Sequence, residues 1–146
     1  MECGRLKVKD YLSQLFWIDK EIKSLSMERE ELFASTFKHP VWSDMKVQSS
    51  PTEKLEDVYV ELAEYANRIQ VKSDELLRLK LQLSEQIEKV GNHKSRQLLR
   101  YRYLIGMNWE EVAYHMGYEV RHITRLHGQA LIDFEHVLEC PEESLI

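Results

Sequence analysis

The sequence predicts an all-α protein: an N-terminal long helical hairpin or coiled coil over residues 1–91, a group of short helices over 92–138 and an acidic tail over 139–146. Three observations carry this. Apolar residues recur at steps of three and four along 11–32 and 55–90, which is the period of an amphipathic helix and not the alternation of a strand. Single glycines and asparagines stand at Gly91-Asn92, Gly106, Asn108 and Gly117, where helices stop and start. Proline and serine interrupt the helical period at one internal segment, 36–52.

Taken in order, the first helix carries a seam of Tyr11, Leu15, Ile18, Ile22, Leu25, Arg29 and Leu32. Arg29 interrupts it, and its aliphatic stem lets the charge reach water. Leu12, Phe16 and Phe33 are expected to widen the buried face beyond one partner helix. This helix is expected to be roughly 36–39 Å long, the shorter of the two. The segment 36–52 follows as a loop whose Val41, Trp42, Met45 and Val47 suit a fold-back onto a helix. Ser50-Pro51-Thr52-Glu53 reads as a capping box with proline at the first helical position. The heptad then returns through Leu55, Tyr59, Leu62, Ala66, Ile69, Ser73, Leu76, Lys80, Leu83, Ile87 and Val90. A helix over 53–90 runs about 57 Å. Such length suits a hairpin or coiled coil, with pairing within one chain or between two.

Asn92 is placed to cap a helix from His93 to Ile105 that packs through Leu98, Leu99, Tyr101 and Leu104, with Gly106 closing it. Asn108 and Glu111 have capping-box spacing ahead of the stripe Trp109, Val112, Ala113 and Met116. Gly117 stands where a left-handed residue ends that helix. A longer helix opens near Glu119, with Val120, Ile123, His127, Ala130, Leu131 and Phe134 on one face. Arg121, His122, Arg125 and Gln129 lie on the other. A short helix, a glycine turn and a longer helix with a basic outer face make a helix-turn-helix pattern. An ordinary three-helix bundle with solvated arginines is its alternative.

Net charge is −5, unevenly spread: residues 93–127 hold six Lys+Arg against three Asp+Glu, with four of the six histidines. That suits a mildly basic nucleic-acid-facing module on an acidic carrier, with modest affinity per copy. If the helix from about 119 enters a major groove, Arg121 and Arg125, one turn apart, are the candidates for base or phosphate contacts. His122, Thr124 and Gln129 lie beside them. Lys94, Arg96, Arg100 and Arg102 are candidates for backbone phosphates, although Arg102 also suits pairing with Glu110 or Glu111. Glu119 would repel phosphate. His127 reads as a satisfied core histidine, and Gly128, costly inside a helix, as a point of close approach.

No nucleophile–base arrangement, glycine-rich phosphate loop or metal-ligand spacing is present. Neither catalysis nor a metal or cofactor is therefore expected. Cys3 and Cys140 form no CxxC pair, which points to a reducing, cytoplasmic setting. Neither a signal core nor a membrane-length apolar run is present, so no membrane partner is expected.

The stretch RQLLRYRYLIGMNWEEVAYHMGYEVRHITRLHGQAL, about a quarter of the chain, resembles the sigma-70 region 4 type of helix-turn-helix. The RYL-x-G lead-in, the WEEVA helix and the MGY turn carry the likeness. With the hairpin, the VQSSP turn and the RLHGQAL ending, the chain resembles small phage proteins of streptococci and other Gram-positive hosts. These are grouped with RinA- and ArpU-like late transcription regulators. Two departures stand out: Glu119 replaces the usual Ser or Thr, and the leucine expected near His127 is shifted to Leu126. There is also no room for the polymerase-gripping region 2.

The resemblance implies a phage or prophage transcription regulator in the host bacterial cytoplasm, binding double-stranded DNA as a homo-oligomer. Host RNA polymerase is a further partner it suggests. The alternatives are a small terminase-like packaging subunit, or a protein-interaction module that grips polymerase or a host factor without touching DNA.

Overall fold

Two helices of nearly equal length lead the computed structural model, which describes residues 2–38 and 51–139, with side chains within 7–37 and 54–139. Helix α1 spans Glu2–Lys38 and α2 spans Pro51–Glu88. There follow α3 (His93–Leu99), a π-helical turn (Arg100–Ile105), α4 (Trp109–Met116) and α5 (Val120–Glu139). The described residues contain no strand. None of these helices is long and apolar enough to cross a membrane.

The expectation of a shorter first helix is overturned. α1 has 37 residues against 38 in α2, about 56 and 57 Å at the α-helical rise. The seam continues one heptad upstream of Leu15 to Val8, which is buried, so apolar contact favours extending the helix over the first residues. At its other end α1 takes in residues 36–38, where the sequence predicts the start of the loop. Pro51 opens α2, while the fold-back of 41–47, the Ser50 cap and the acidic tail lie outside the described residues.

The chain divides into two compact units, one from Ile18 to Glu75 and one made of the residues up to Trp17 with those from Leu76 onward. The first is an antiparallel helical hairpin. Lys72 Nζ lies 2.9 Å from Glu21, and Tyr65 is hydrogen-bonded to Glu28, which raises the phenol's pKa. As numbering rises on α1 it falls on α2, which fixes the direction of pairing. Ile18, Ile22, Leu25, Arg29 and Leu32 are all buried or half-buried, as the seam required.

On α2 the register differs from the expected one. Leu55, Leu62, Ile69 and Ser73 are half-buried as expected, but Val58, Tyr65 and Lys72 are half-buried too, while Tyr59 and Ala66 are exposed. The same correction holds further on, where Leu79 is half-buried and Lys80 exposed. Both sets satisfy a step of three or four. The inward set wins because its polar members meet partners on α1, Tyr65 with Glu28 and Lys72 with Glu21, and because Leu79 replaces a lysine. Phe16 and Phe33 do not widen the buried face either: each is 53% exposed.

The second unit is built on one core. Val8, Leu12 and Leu15 of α1 join Leu83, Ile87 and Val90 at the end of α2, with Leu98 and Leu99 of α3. Val112 and Ala113 of α4 and Ile123, Ala130, Leu131 and Phe134 of α5 complete it. Tyr11 stacks on Phe134 at 6.2 Å and donates its hydroxyl to Gln86 Oε1 at 2.7 Å. Phe134 is fully buried, so truncating it to alanine costs about 3–5 kcal/mol. This core fixes the backbone of α3, α4 and α5.

Candidate nucleic-acid interface

Local chemistry sets the three short helices. The Asn92 side chain accepts from Lys94 N at 3.0 Å and starts α3. α3 stops at Leu99, and the expected continuation to Ile105 is a π-helical turn instead. Such turns displace side chains from the α-helical register and occur often at functional sites. Gly106 ends it with φ +87°, where a side chain would be strained. Asn108 and Glu111 then form the full capping box, Oδ1 accepting from Glu111 N at 2.8 Å and Oε2 accepting from Asn108 N at 2.9 Å. Gly117, at φ +74°, ends α4 in the left-handed conformation, and Tyr118 N returns to Ala113 O at 3.0 Å. α5 begins immediately, with Ile123 N donating to Glu119 O at 3.0 Å. The negative charge of Glu119 suits the positive end of that helix.

Under this arrangement lies a polar cluster. Tyr103 Oη is 2.6 Å from His127 Nε2, and the imidazole meets the edge of Trp109 with centroids 4.6 Å apart. Burial pushes the His127 pKa down to about 4, with Lys9 and Arg102 adding to the effect. Burial likewise pushes Tyr103 up to about 12. His127 is thus a neutral, satisfied core histidine. Arg102 takes neither role considered for it: its guanidinium donates to Met107 O at 2.8 Å and sits 4.4 Å over the Trp109 ring. The close approach expected at Gly128 is absent, since an added Cβ would meet nothing within 4 Å.

The candidate contact residues separate into free and engaged groups. Arg121, His122 and Arg125 are exposed on the outer side of α5. Lys94 is exposed at the start of α3, its Nζ 5.8 Å from the centre of the Tyr118 ring. That ring meets His122 edge-on at 4.7 Å, so Tyr118 links Lys94 to the first turn of α5. Arg96 is half-buried. Arg100 is turned back to α2, ion-paired with Glu88 and 3.4 Å from Ser84 Oγ. The Thr124 hydroxyl donates to Val120 O at 3.0 Å. Gln129 donates to Asp133 Oδ1 at 2.9 Å, while Ser95 donates to Oδ2 of the same carboxylate at 2.7 Å.

Three surface residues were missed or misplaced by periodicity. Val120, expected on the buried face, is 40% exposed, and the buried face of α5 starts at Ile123. Tyr114 is 84% exposed on α4; its place opposite Val112 and Ala113 was readable from the period. Tyr118 carried the turn signal next to Gly117 but no sign of its bridging contacts. Among the described residues no group of His, Cys, Asp or Glu is gathered in a way that could hold a metal.

The fold and this surface define an all-helical protein with a helix, a left-handed glycine turn and a longer helix presenting arginines outward. A family model described as protein of unknown function, DUF1492, matches residues 36–133. The chain belongs to that family. No curated protein and no solved structure matches it.

Proposed function

We propose that this protein is a sequence-specific DNA-binding transcription regulator of phage or prophage origin, acting as an oligomer. The observation that carries the reading is the exposure of Arg121, His122 and Arg125 together on the outer side of α5. Gly117 aims that helix, and Lys94 is joined to the same surface through Tyr118. In this reading α4, α5 and the turn between them act as a sigma-70 region 4-like helix-turn-helix. The first turns of α5 occupy a major groove, Arg121 and Arg125 meet guanine edges or phosphates, and Lys94 holds the flanking backbone. The helical hairpin is the oligomerisation element, which multiplies the few cations that one copy offers. DNA protection by the wild type and by Arg121→Ala/Arg125→Ala tests the reading, on genomic fragments selected by the purified protein. Loss of protection in the variant supports it, and equal protection removes it.

A second reading, a module that binds RNA polymerase or a host factor without DNA, draws on Tyr114 at 84% exposure and on the exposed acid Glu119. Salt-insensitive polymerase capture with no DNA binding at low salt selects it, since DNA affinity falls steeply with salt.

A further inference from the structure

The hairpin unit carries an apolar strip that its own two helices leave uncovered. On α2, Tyr59, Ala63, Ala66 and Gln70 are exposed at helical spacing and carry no charge. Asp57, Glu61, Glu64 and Arg68, on other sides of the same helix, are exposed and charged. On α1, Phe33 and Phe37 pack together with ring centroids 4.6 Å apart while staying 53% and 47% exposed. An open groove of about 500 Å³ joins the two helices here, lined by Arg29, Glu30, Phe33, Leu62 and Ala63. Exposed aromatic rings beside an uncharged helical strip are the kind of surface that interfaces cover.

The charges in the groove name the occupant. Arg29 and Glu30 supply one cation and one anion, and neither is ion-paired among the described residues. Consecutive residues on a helix do not face each other, so they do not neutralise one another. Were a two-fold axis to pass through the groove, Glu30 of each copy would face Arg29 of the other, because an isologous interface pairs i with j and j with i. The surface is therefore complementary to itself. We infer that the face built on Phe33, Ala63 and the Arg29/Glu30 pair is where a second copy of this chain docks, closing two hairpins into a four-helix bundle. This inference rests on the oligomeric part of the proposed function and is independent of whether α5 binds DNA.

Sedimentation equilibrium of the full chain tests it. The wild type is expected to sediment as a dimer, twice 17.4 kDa. Arg29→Glu and Glu30→Arg are each expected to raise the dissociation constant at least tenfold, and the double reversal to restore it. Ala63→Glu, at an exposed position, is expected to give monomer with unchanged helical circular dichroism. A wild-type monomer at all concentrations overturns both this inference and the oligomeric reading. A dimer that ignores all four variants overturns the groove alone.

Discussion

Tyr103 Oη and His127 Nε2 stand 2.6 Å apart, a bond that ties the π-helical turn to the inner side of α5. Neither group has another hydrogen-bond partner among the described residues, and the imidazole tautomer sets which of the two donates. Trp109 closes one side of the ring, and Arg102 lies over the same indole while holding the Met107 carbonyl. Four side chains thus fix the turn before α4 to the helix that carries the outward arginines. A π-helical turn earns a structural reading here: its residues Arg102 and Tyr103 supply two of the four.

Acid should loosen this cluster. The His127 pKa is pushed down to about 4 from an ordinary 6.5. The unfolded chain therefore binds a proton that the folded chain refuses. Stability contributed by the neutral ring is present in full above pH 6.5, falls as pH drops through the window from 6.5 to 4, and is lost below it. The ring is only partly buried, so the loss is about 2 kcal/mol and not the full value of the shift. Urea unfolding at pH 7 and pH 4.5 measures it. The wild type should lose that stability, whereas His127→Gln should be flatter across the window; parallel profiles for the two would refute the assignment.

Tyr103→Phe removes the hydroxyl and leaves Nε2 unpaired. The expected cost is about 1–2 kcal/mol at pH 7. Because the loss comes from one hydrogen bond, adding His127→Gln to Tyr103→Phe should cost less than the sum of the two single changes. An additive double-mutant cycle would show that the bond contributes nothing.

Gly128→Ala should stabilise the protein. Gly128 lies inside α5, and an added Cβ meets nothing within 4 Å. The helix-propensity gain of about 1 kcal/mol is then unopposed. Thermal denaturation should show a higher midpoint, with the outward side chains of α5 untouched. A lower midpoint would mean that a close neighbour occupies the space beside Gly128.

Features set by neighbours in sequence were legible. Asn108 with Glu111 and Gly117 after Met116 are local signals, and their geometry follows from a few consecutive residues. The outward placement of Arg121, His122 and Arg125 followed from the helical period alone. Features decided by distant residues were not legible. Tyr59 and Val58 fit a heptad equally well, as do Ala66 and Tyr65, and only the partner helix separates them: Glu28 on α1 takes Tyr65. The full length of α1 is not legible because the role of Val8 emerges only in the assembled core with Leu83 and Ile87. In the candidate interface, the withdrawal of Arg100 depends on Glu88, twelve residues away. Gln129 and Asp133, by contrast, stand four apart on one helix, a spacing that itself signals their pairing.

The capping box should be worth what its two hydrogen bonds suggest. Asn108→Ala removes the acceptor of Glu111 N and should cost about 1 kcal/mol by denaturant titration. Asn108→Asp keeps an acceptor and adds a favourable charge at the start of α4, so it should match or exceed the wild type. Equal stability of Asn108→Ala and wild type would mean that solvent caps the helix as well as Asn108 does.

The engaged and free arginines make opposite predictions for DNA. Arg121 and Arg125 are exposed and make no hydrogen bond or ion pair among the described residues, while Arg100 is held by Glu88 and Ser84. If the outer side of α5 meets a duplex, Arg121→Ala and Arg125→Ala should each weaken binding. Where the lost contact is a phosphate, the slope of log affinity against log salt should fall by about one. Where it is a guanine edge, the loss should be about 1–3 kcal/mol and confined to particular base positions. Arg100→Ala should leave slope and specificity alone and lower stability by under about 1 kcal/mol, since its pair with Glu88 is partly exposed. Salt titrations of the three variants on one selected fragment decide the matter. An effect at Arg100 without one at Arg121 or Arg125 would move the contact surface off α5 and towards the junction of α2 with α3.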